Sequence, residues 1–89
     1  MAVNPTTNRV YVTDSPSDKL FVIDYDPSTN SATSIVTVVV GDNPQGVDVN
    51  PLTNKIYVGN ARSSGDPYGS VTVVNGATNT VIKTIPLTP

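Results

Sequence analysis

The side chains that could do chemistry in this 89-residue chain are its seven acidic residues, all aspartate, because the chain has no histidine and no cysteine. The closest pair, Asp24 and Asp26, precedes a Pro-Ser-Thr-Asn segment. Clustered oxygen atoms can bind calcium, but this segment lacks the sharp-turn glycine and the terminal bidentate glutamate of a calcium loop. We therefore interpret the two aspartates as caps of a turn.

A second carboxylate pair, Asp42 and Asp48, flanks the junction between the two halves of the chain. Catalytic carboxylate pairs need surroundings that raise one pKa, and no neighbouring residue type provides them here. Without imidazole or thiol groups, the chain also lacks the usual bases, nucleophiles and zinc ligands. The composition therefore predicts a protein that is not an enzyme and that holds no metal and no cofactor.

Charge and hydropathy argue against two further classes of partner. The net charge is −2 and no run of lysine or arginine occurs, which is unlike a nucleic-acid-binding surface. The apolar runs, such as Val38 to Val40 and the four residues Leu20 to Ile23, are far shorter than the roughly 20 residues of a membrane-spanning helix. We expect no nucleic acid and no membrane insertion. The first residues show no basic segment followed by an apolar one, so we expect no secretory signal within them.

The elements that must position these side chains are strands. Valine, threonine and isoleucine supply 32 residues, whereas Ala, Leu, Met, Gln, Lys, Arg and Glu together supply only 14. β-branched residues favour strands and the second group favours helices. The absence of cysteine also rules out a disulfide, but it does not decide the compartment.

One segment occurs twice, 46 residues apart. Residues 3–12 read Val-Asn-Pro-Thr-Thr-Asn-Arg-Val-Tyr-Val and residues 49–58 read Val-Asn-Pro-Leu-Thr-Asn-Lys-Ile-Tyr-Val, so seven of ten positions are identical. In each copy the Asn-Pro and the second Asn predict a turn that leads into a strand. Tyr11 and Tyr57 occupy equivalent positions, which predicts that both pack between repeats.

Each copy holds the end of a first strand, the turn and a second strand. A third strand, a Thr-Asn turn and a last strand follow, so each repeat holds four strands. Four short strands with a period in the forties are typical of propeller blades. Pro86 falls in a last strand, where it is tolerated only at an outer edge. We predict an all-β fold of two four-stranded antiparallel blades: blade 1 at 1–40, a loop at 41–45 and blade 2 at 46–89. The first strands are predicted at Met1–Asn4 and Val47–Asn50, and the last at 35–40 and 80–87.

These motifs resemble the YVTN-type β-propeller repeat. The resemblance rests on the duplicated segment, on the following Val-Ile-Asp or Val-Val-Asn, and on Val-Gly-Asp-Asn-Pro-Gln-Gly-Val at 40–47. The naming tetrapeptide appears as Tyr-Val-Thr-Asp at 11–14 and as Tyr-Val-Gly-Asn at 57–60, each with one departure. The family occurs in surface-layer and other cell-surface proteins of archaea and bacteria. The resemblance implies a cell-surface or extracellular location.

Two blades bury one interface and leave two apolar outer faces, and repeat arrays usually need about three units for stability. We therefore expect self-assembly. Whole chains give an even number of blades, so that a trimer gives six blades and a tetramer gives eight, by head-to-tail cyclic symmetry.

The loops that join the second strand to the third differ most between the repeats, at 13–19 and 59–69. Divergent loops on a rigid scaffold are candidates for contact with other surface proteins or with carbohydrate. Unconstrained polar loops also diverge, and that interpretation is the stronger one. The candidate residues on this loop face are Asp14, Asp18, Asp42, Gln45, Asn60, Arg62, Asp66 and Tyr68.

Two alternatives to a self-assembling module stay open. The chain could be a fragment of a propeller enzyme or ligand carrier whose site lies in other blades. It could also be an engineered chain made to test whether two blades assemble.

Overall fold

The computed structural model describes residues 1–61 and 68–87. Within these ranges all the regular elements are strands. They are β1 (Ala2–Asn4), β2 (Arg9–Asp14), β3 (Lys19–Asp26), β4 (Ser31–Val39), β5 (Pro44–Asn50), β6 (Lys55–Asn60), β7 (Ser70–Asn75) and β8 (Thr80–Pro86). No helix in the described ranges is long and apolar enough to cross a membrane.

The strands form two four-stranded antiparallel sheets. The first sheet has the order β1-β2-β3-β4 and the second has the order β5-β6-β7-β8. Equivalent residues pair alike, since Tyr11 lies opposite Val22 in the first sheet and Tyr57 lies opposite Val73 in the second. This confirms the prediction of two antiparallel units of four strands. Pro86 lies in β8, an edge strand, where its missing N–H costs no ladder hydrogen bond.

Asparagines shape the hairpin turns as the sequence predicts. Asn8 and Asn54 have φ values of 56° and 55°, in the left-handed region that asparagine tolerates. At the start of the same turns, the Asn4 Oδ1 accepts the Thr6 N–H at 3.0 Å, and the Asn50 Oδ1 accepts the Leu52 N–H at 3.1 Å. The duplicated segment therefore builds the same turn twice.

The core lies between the two sheets. The first sheet contributes Tyr11, Leu20, Val22 and Val38, and the second contributes Ile56, Val58 and Val74. The chain measures 44 × 27 × 17 Å, and the shortest dimension suits two sheets about 10 Å apart with side chains on their outer faces.

Two strands begin earlier than the sequence predicts. β5 begins at Pro44 and includes residues predicted as loop, because the chain pairs with β6 through an irregularity between Pro44 and Gly46. β4 begins at Ser31 because its ladder with β3 continues past a second irregularity, between Asp24 and Tyr25.

Candidate interaction site

The predicted loop face is built around the linker between the two sheets, and Asp18 is its anchor. The Asn43 N–H donates to the Asp18 Oδ1 at 2.9 Å, and the Val40 N–H donates to the Asp18 backbone oxygen at 3.1 Å. The Ser15 hydroxyl donates to the Pro44 carbonyl at 2.7 Å. The loop between β2 and β3 thus holds the linker in place.

Two further candidates also make hydrogen bonds within this region. The Gln45 amide donates to the Asn43 Oδ1 at 2.7 Å and to the Ser15 hydroxyl at 3.1 Å. The Asp14 carboxylate accepts a hydrogen bond from the Ser17 hydroxyl. Asp42 lies exposed on the same linker. The structure therefore brings Asp14, Asp18, Asp42 and Gln45 together, and three of the four make hydrogen bonds within this region.

Asn60 lies beneath the linker instead of on the loop surface. It is only 4% exposed, and its amide donates to the Thr72 hydroxyl at 2.8 Å and to the Ser70 hydroxyl at 3.1 Å. The chain passes so close at Gly41 that a Cβ there would stand 2.6 Å from the Asn60 Nδ2. Asn60 is therefore a buried structural residue, and its side chain leaves room only for glycine at position 41.

The remaining candidates belong to the loop between β6 and β7. Tyr68 is 51% exposed at the end of that loop. Arg62 and Asp66 lie outside the described residues.

The aspartates of the 24–30 segment are engaged within the first sheet. Asp26 caps its turn, because its carboxylate accepts the Ser28 N–H at 2.9 Å and the Ser28 hydroxyl at 2.7 Å. These hydrogen bonds lower the pKa of Asp26. Asp24 forms an ion pair with Arg9 at 2.7 Å, and this contact raises the pKa of Arg9.

The contact between the sheets joins two unlike faces. Alternate residues of a strand point to opposite faces of its sheet. The face of the first sheet that carries Tyr11 and Val22 packs on the face of the second sheet that carries Ile56 and Val58. Tyr11, Ile56 and Val58 are each 0% exposed. One sheet thus presents its tyrosine face and the other presents its valine and isoleucine face.

Polar contacts fix the edge of this interface nearest the Asn-Pro turns. The Asn4 Nδ2 donates to the Asn54 Oδ1 of the second sheet at 3.3 Å, and Asn4 is 0% exposed. Arg9 donates from Nη1 to the Gly76 carbonyl. A Cβ at Gly76 would stand 2.3 Å from the Asn54 Oδ1, so only glycine fits there.

The tyrosine at the centre of the interface is fully desolvated. The Tyr11 hydroxyl is buried without a hydrogen-bond partner. Burial raises the pKa of Tyr11, and the nearby Arg9 guanidinium opposes this shift only in part. Tyr11 therefore stabilises the contact between the sheets through the burial of its apolar ring and not through a hydrogen bond of its hydroxyl.

The outward faces of the two sheets carry the counterparts of these buried residues. The outward face of the first sheet is called here the Val flank. The outward face of the second is called the Tyr flank. Tyr57, the counterpart of Tyr11, is 39% exposed on the Tyr flank. Val10 and Val12, the counterparts of Ile56 and Val58, are partly exposed on the Val flank.

Each flank carries a group of apolar residues. The apolar residues of the Val flank are Val3, Val10, Val12, Phe21, Ile23, Ile35 and Val39, and Asp14 and Lys19 lie on the same face. The apolar residues of the Tyr flank are Tyr57, Val71, Ile85 and Val73, and Val73 is only 9% exposed. The same flank carries Asp48, Lys55 and Lys83. The sequence predicts that both faces of each sheet are apolar, but it does not predict which face meets which.

Comparison with known proteins decides the fold. The chain is similar in structure to hydrazine synthase of Kuenenia stuttgartiensis, a β-propeller-containing protein, with a TM-score of 0.68 and 24% sequence identity over 93% of this chain. The fold is that of β-propeller blades. The match covers 22% of the hydrazine synthase chain, so the two blades correspond to about a fifth of its length.

Other comparisons give no match. No family model matches the chain, and no curated protein matches it. The YVTN resemblance is therefore supported at the level of the propeller fold.

Proposed function

We propose that the chain is a non-catalytic structural and interaction module, a pair of propeller blades that assembles with further copies into a closed ring. The observation that carries this proposal is the difference between two equivalent tyrosines. Tyr11 is 0% exposed because the second blade covers it, whereas Tyr57 is 39% exposed on the same face of its own blade. The two blades therefore share one buried interface and leave two outward faces uncovered.

The free energy at stake is large for a chain of this size. Several hundred Å² of apolar surface on each flank, at about 25 cal/mol per Å², corresponds to roughly 10 kcal/mol. That value is comparable with the whole stability of a small domain, about 5–15 kcal/mol. Covering both flanks would therefore strongly favour the folded chain.

A ring covers every flank without leaving a free end. The two flanks differ, so contact between them is heterologous, and heterologous contacts close into rings when the rotation fits. Two blades per chain give six blades in a trimer and eight in a tetramer. This reasoning favours a head-to-tail trimer or tetramer.

The loop face is the surface such a ring would offer to partners. The linker candidates stand on a hydrogen-bonded scaffold, with Asp42 exposed on the linker and Tyr68 exposed on the longer loop. Carboxylates and aromatic rings suit contact with protein or carbohydrate. The YVTN resemblance favours a cell-surface or extracellular setting for that contact.

A second candidate follows from the structural comparison. The matched part of hydrazine synthase is a fifth of a longer chain. By analogy, these blades would be part of a larger propeller protein, an enzyme or ligand carrier, whose other blades cover the flanks and carry the site.

The molar mass of the 89-residue chain in solution distinguishes the two candidates. Multi-angle light scattering across a range of concentrations is expected to show three or four times 9.3 kDa, with dissociation on dilution. A folded 9.3 kDa species at every concentration would refute self-assembly. A chain that folds only with other blades present would favour the second candidate.

A further inference from the structure

We propose that the Tyr flank of one copy docks on the Val flank of the next copy in the register of the interface inside the chain. This inference rests on the proposed function, and it names the residues that recognise the neighbouring copy. The internal interface provides the template, because the duplicated sequence places equivalent residues at its central contacts; at the edge, Tyr25 stands where the second sheet has Gly76.

The central contact would be a tyrosine in an aliphatic cradle. Inside the chain, Tyr11 packs in one cluster with Ile56, Val58 and Val74. The counterparts of that cradle on the Val flank are Val10, Val12 and Ile23, because the strand pairs Val10 with Ile23 and Ile56 with Val74 are equivalent. The Tyr57 ring of one copy is therefore expected to pack among these three residues of the next copy.

A polar contact at the edge would set the same register. The Asn4 amide donates to the Asn54 Oδ1 across the internal interface at 3.3 Å. Asn50 is the counterpart of Asn4, and Asn8 is the counterpart of Asn54 with nearly the same φ value. The contact would not be an exact copy, because Tyr25 stands beside Asn8 where Gly76 stands beside Asn54. The Asn8 side chain would accept the Asn50 amide in a different rotamer.

Like flanks have no comparable template. A two-fold contact of Tyr flank with Tyr flank would place Tyr57 against a tyrosine instead of an aliphatic cradle. The Tyr57 face carries Asp48 as well as Lys55 and Lys83, so its charges do not decide between the two pairings. The unlike pairing is favoured because it offers the Tyr57 ring an aliphatic cradle like the one around Tyr11.

Single substitutions can block one flank at a time. Val3→Asp places a carboxylate on the Val flank, where Val3 is 52% exposed in the single chain. Its counterpart Val49 packs against the internal core, so the substitution would remove the matching contact between copies. Tyr57→Asp blocks the Tyr flank in the same way. Val3 is 52% exposed and Tyr57 is 39% exposed in the single chain, so neither carboxylate would be fully buried. Tyr57→Asp costs the fold more, because Asp48 lies directly opposite it.

The assay is native mass spectrometry and sedimentation equilibrium of each variant alone and of their equimolar mixture, with circular dichroism to verify the fold. Leu52→Asp is the matched control, because Leu52 is 95% exposed in a turn outside both flanks. A second pair, Val12→Asp and Ile85→Asp, repeats the test at other positions of the same two flanks. That pair decides the question if either of the first variants fails to fold.

Each variant alone is expected to be a monomer, and the mixture is expected to form a dimer with one copy of each and nothing larger. Val3→Asp retains the intact Tyr flank and Tyr57→Asp retains the intact Val flank, so only one interface can form. The Leu52→Asp control is expected to assemble like the unmodified chain.

Two results would overturn the inference while the proposed self-assembly stands. One is a homodimer of either single variant, which would show that like flanks pair. The other is a mixture that stays monomeric although the unmodified chain associates. An unmodified chain that is monomeric at all concentrations would refute the proposed function itself.

Discussion

Equivalent tyrosines in unequal surroundings allow a quantitative comparison of Tyr11→Ala with Tyr57→Ala. Aromatic side chains bury about 150–250 Å² when covered. Tyr57 leaves 39% of its surface exposed, whereas Tyr11 leaves none. That fraction corresponds to about 60–100 Å², or about 2 kcal/mol at 25 cal/mol per Å².

The cavity left in the core adds about 1 kcal/mol to the cost at Tyr11. Under dilute conditions we therefore expect Tyr11→Ala to lower the free energy of unfolding by about 3 kcal/mol more than Tyr57→Ala does. At concentrations that favour assembly, the contact of Tyr57 with a neighbouring copy would bring the two costs together.

The assay is urea denaturation followed by circular dichroism at low and high protein concentration, in a stabilising osmolyte so that the dilute chain stays folded. Equal losses for both variants in the dilute chain would refute the placement of Tyr11 in the internal interface. A difference that persists at high concentration would show that no second copy covers Tyr57.

Two further predictions concern the linker and the interface. Gly41→Ala is expected to destabilise the chain by about 1–3 kcal/mol, because a Cβ there meets the Asn60 amide at 2.6 Å. The matched Gly46→Ala change should be nearly neutral in dilute thermal unfolding, since no atom lies within 4 Å, and equal effects would contradict the linker packing. Above pH 10 the unfolded chain loses the tyrosine proton more readily than the folded chain, since burial raises the pKa of Tyr11, so stability should fall as pH rises. Tyr11→Phe should reduce that alkaline loss in a pH series of denaturation curves, and an unchanged loss would contradict the burial.

The sequence is sufficient to predict the strands and turns because their determinants are local. β-branched residues favour strands wherever they occur, and Asn8 and Asn54 tolerate the left-handed conformation their turns require. The duplication then predicts two equal sheets. Strand starts at Ser31 and Pro44 differ from the prediction because ladder irregularities depend on the partner strand.

The pairing of faces is beyond local sequence. Tyr11 and Tyr57 have almost identical neighbours in the sequence, yet Tyr11 is covered and Tyr57 is 39% exposed. The reason is that the second sheet packs on the Tyr11 face of the first sheet, whereas no sheet packs on the Tyr57 face of the second. The same limit holds on the loop face. The Asp18 carboxylate accepts a hydrogen bond from the backbone N–H of Asn43, which lies 25 positions away in the sequence. No local sequence pattern predicts that contact.

The pairing of unlike flanks is tested most directly by isotope-filtered nuclear Overhauser spectroscopy on a mixture of labelled and unlabelled chains. Contacts between copies are expected from the Tyr57 ring to the methyl groups of Val10 and Val12. Contacts from Tyr57 of one copy to Tyr57 of another, or none between copies of an assembled chain, would contradict the account.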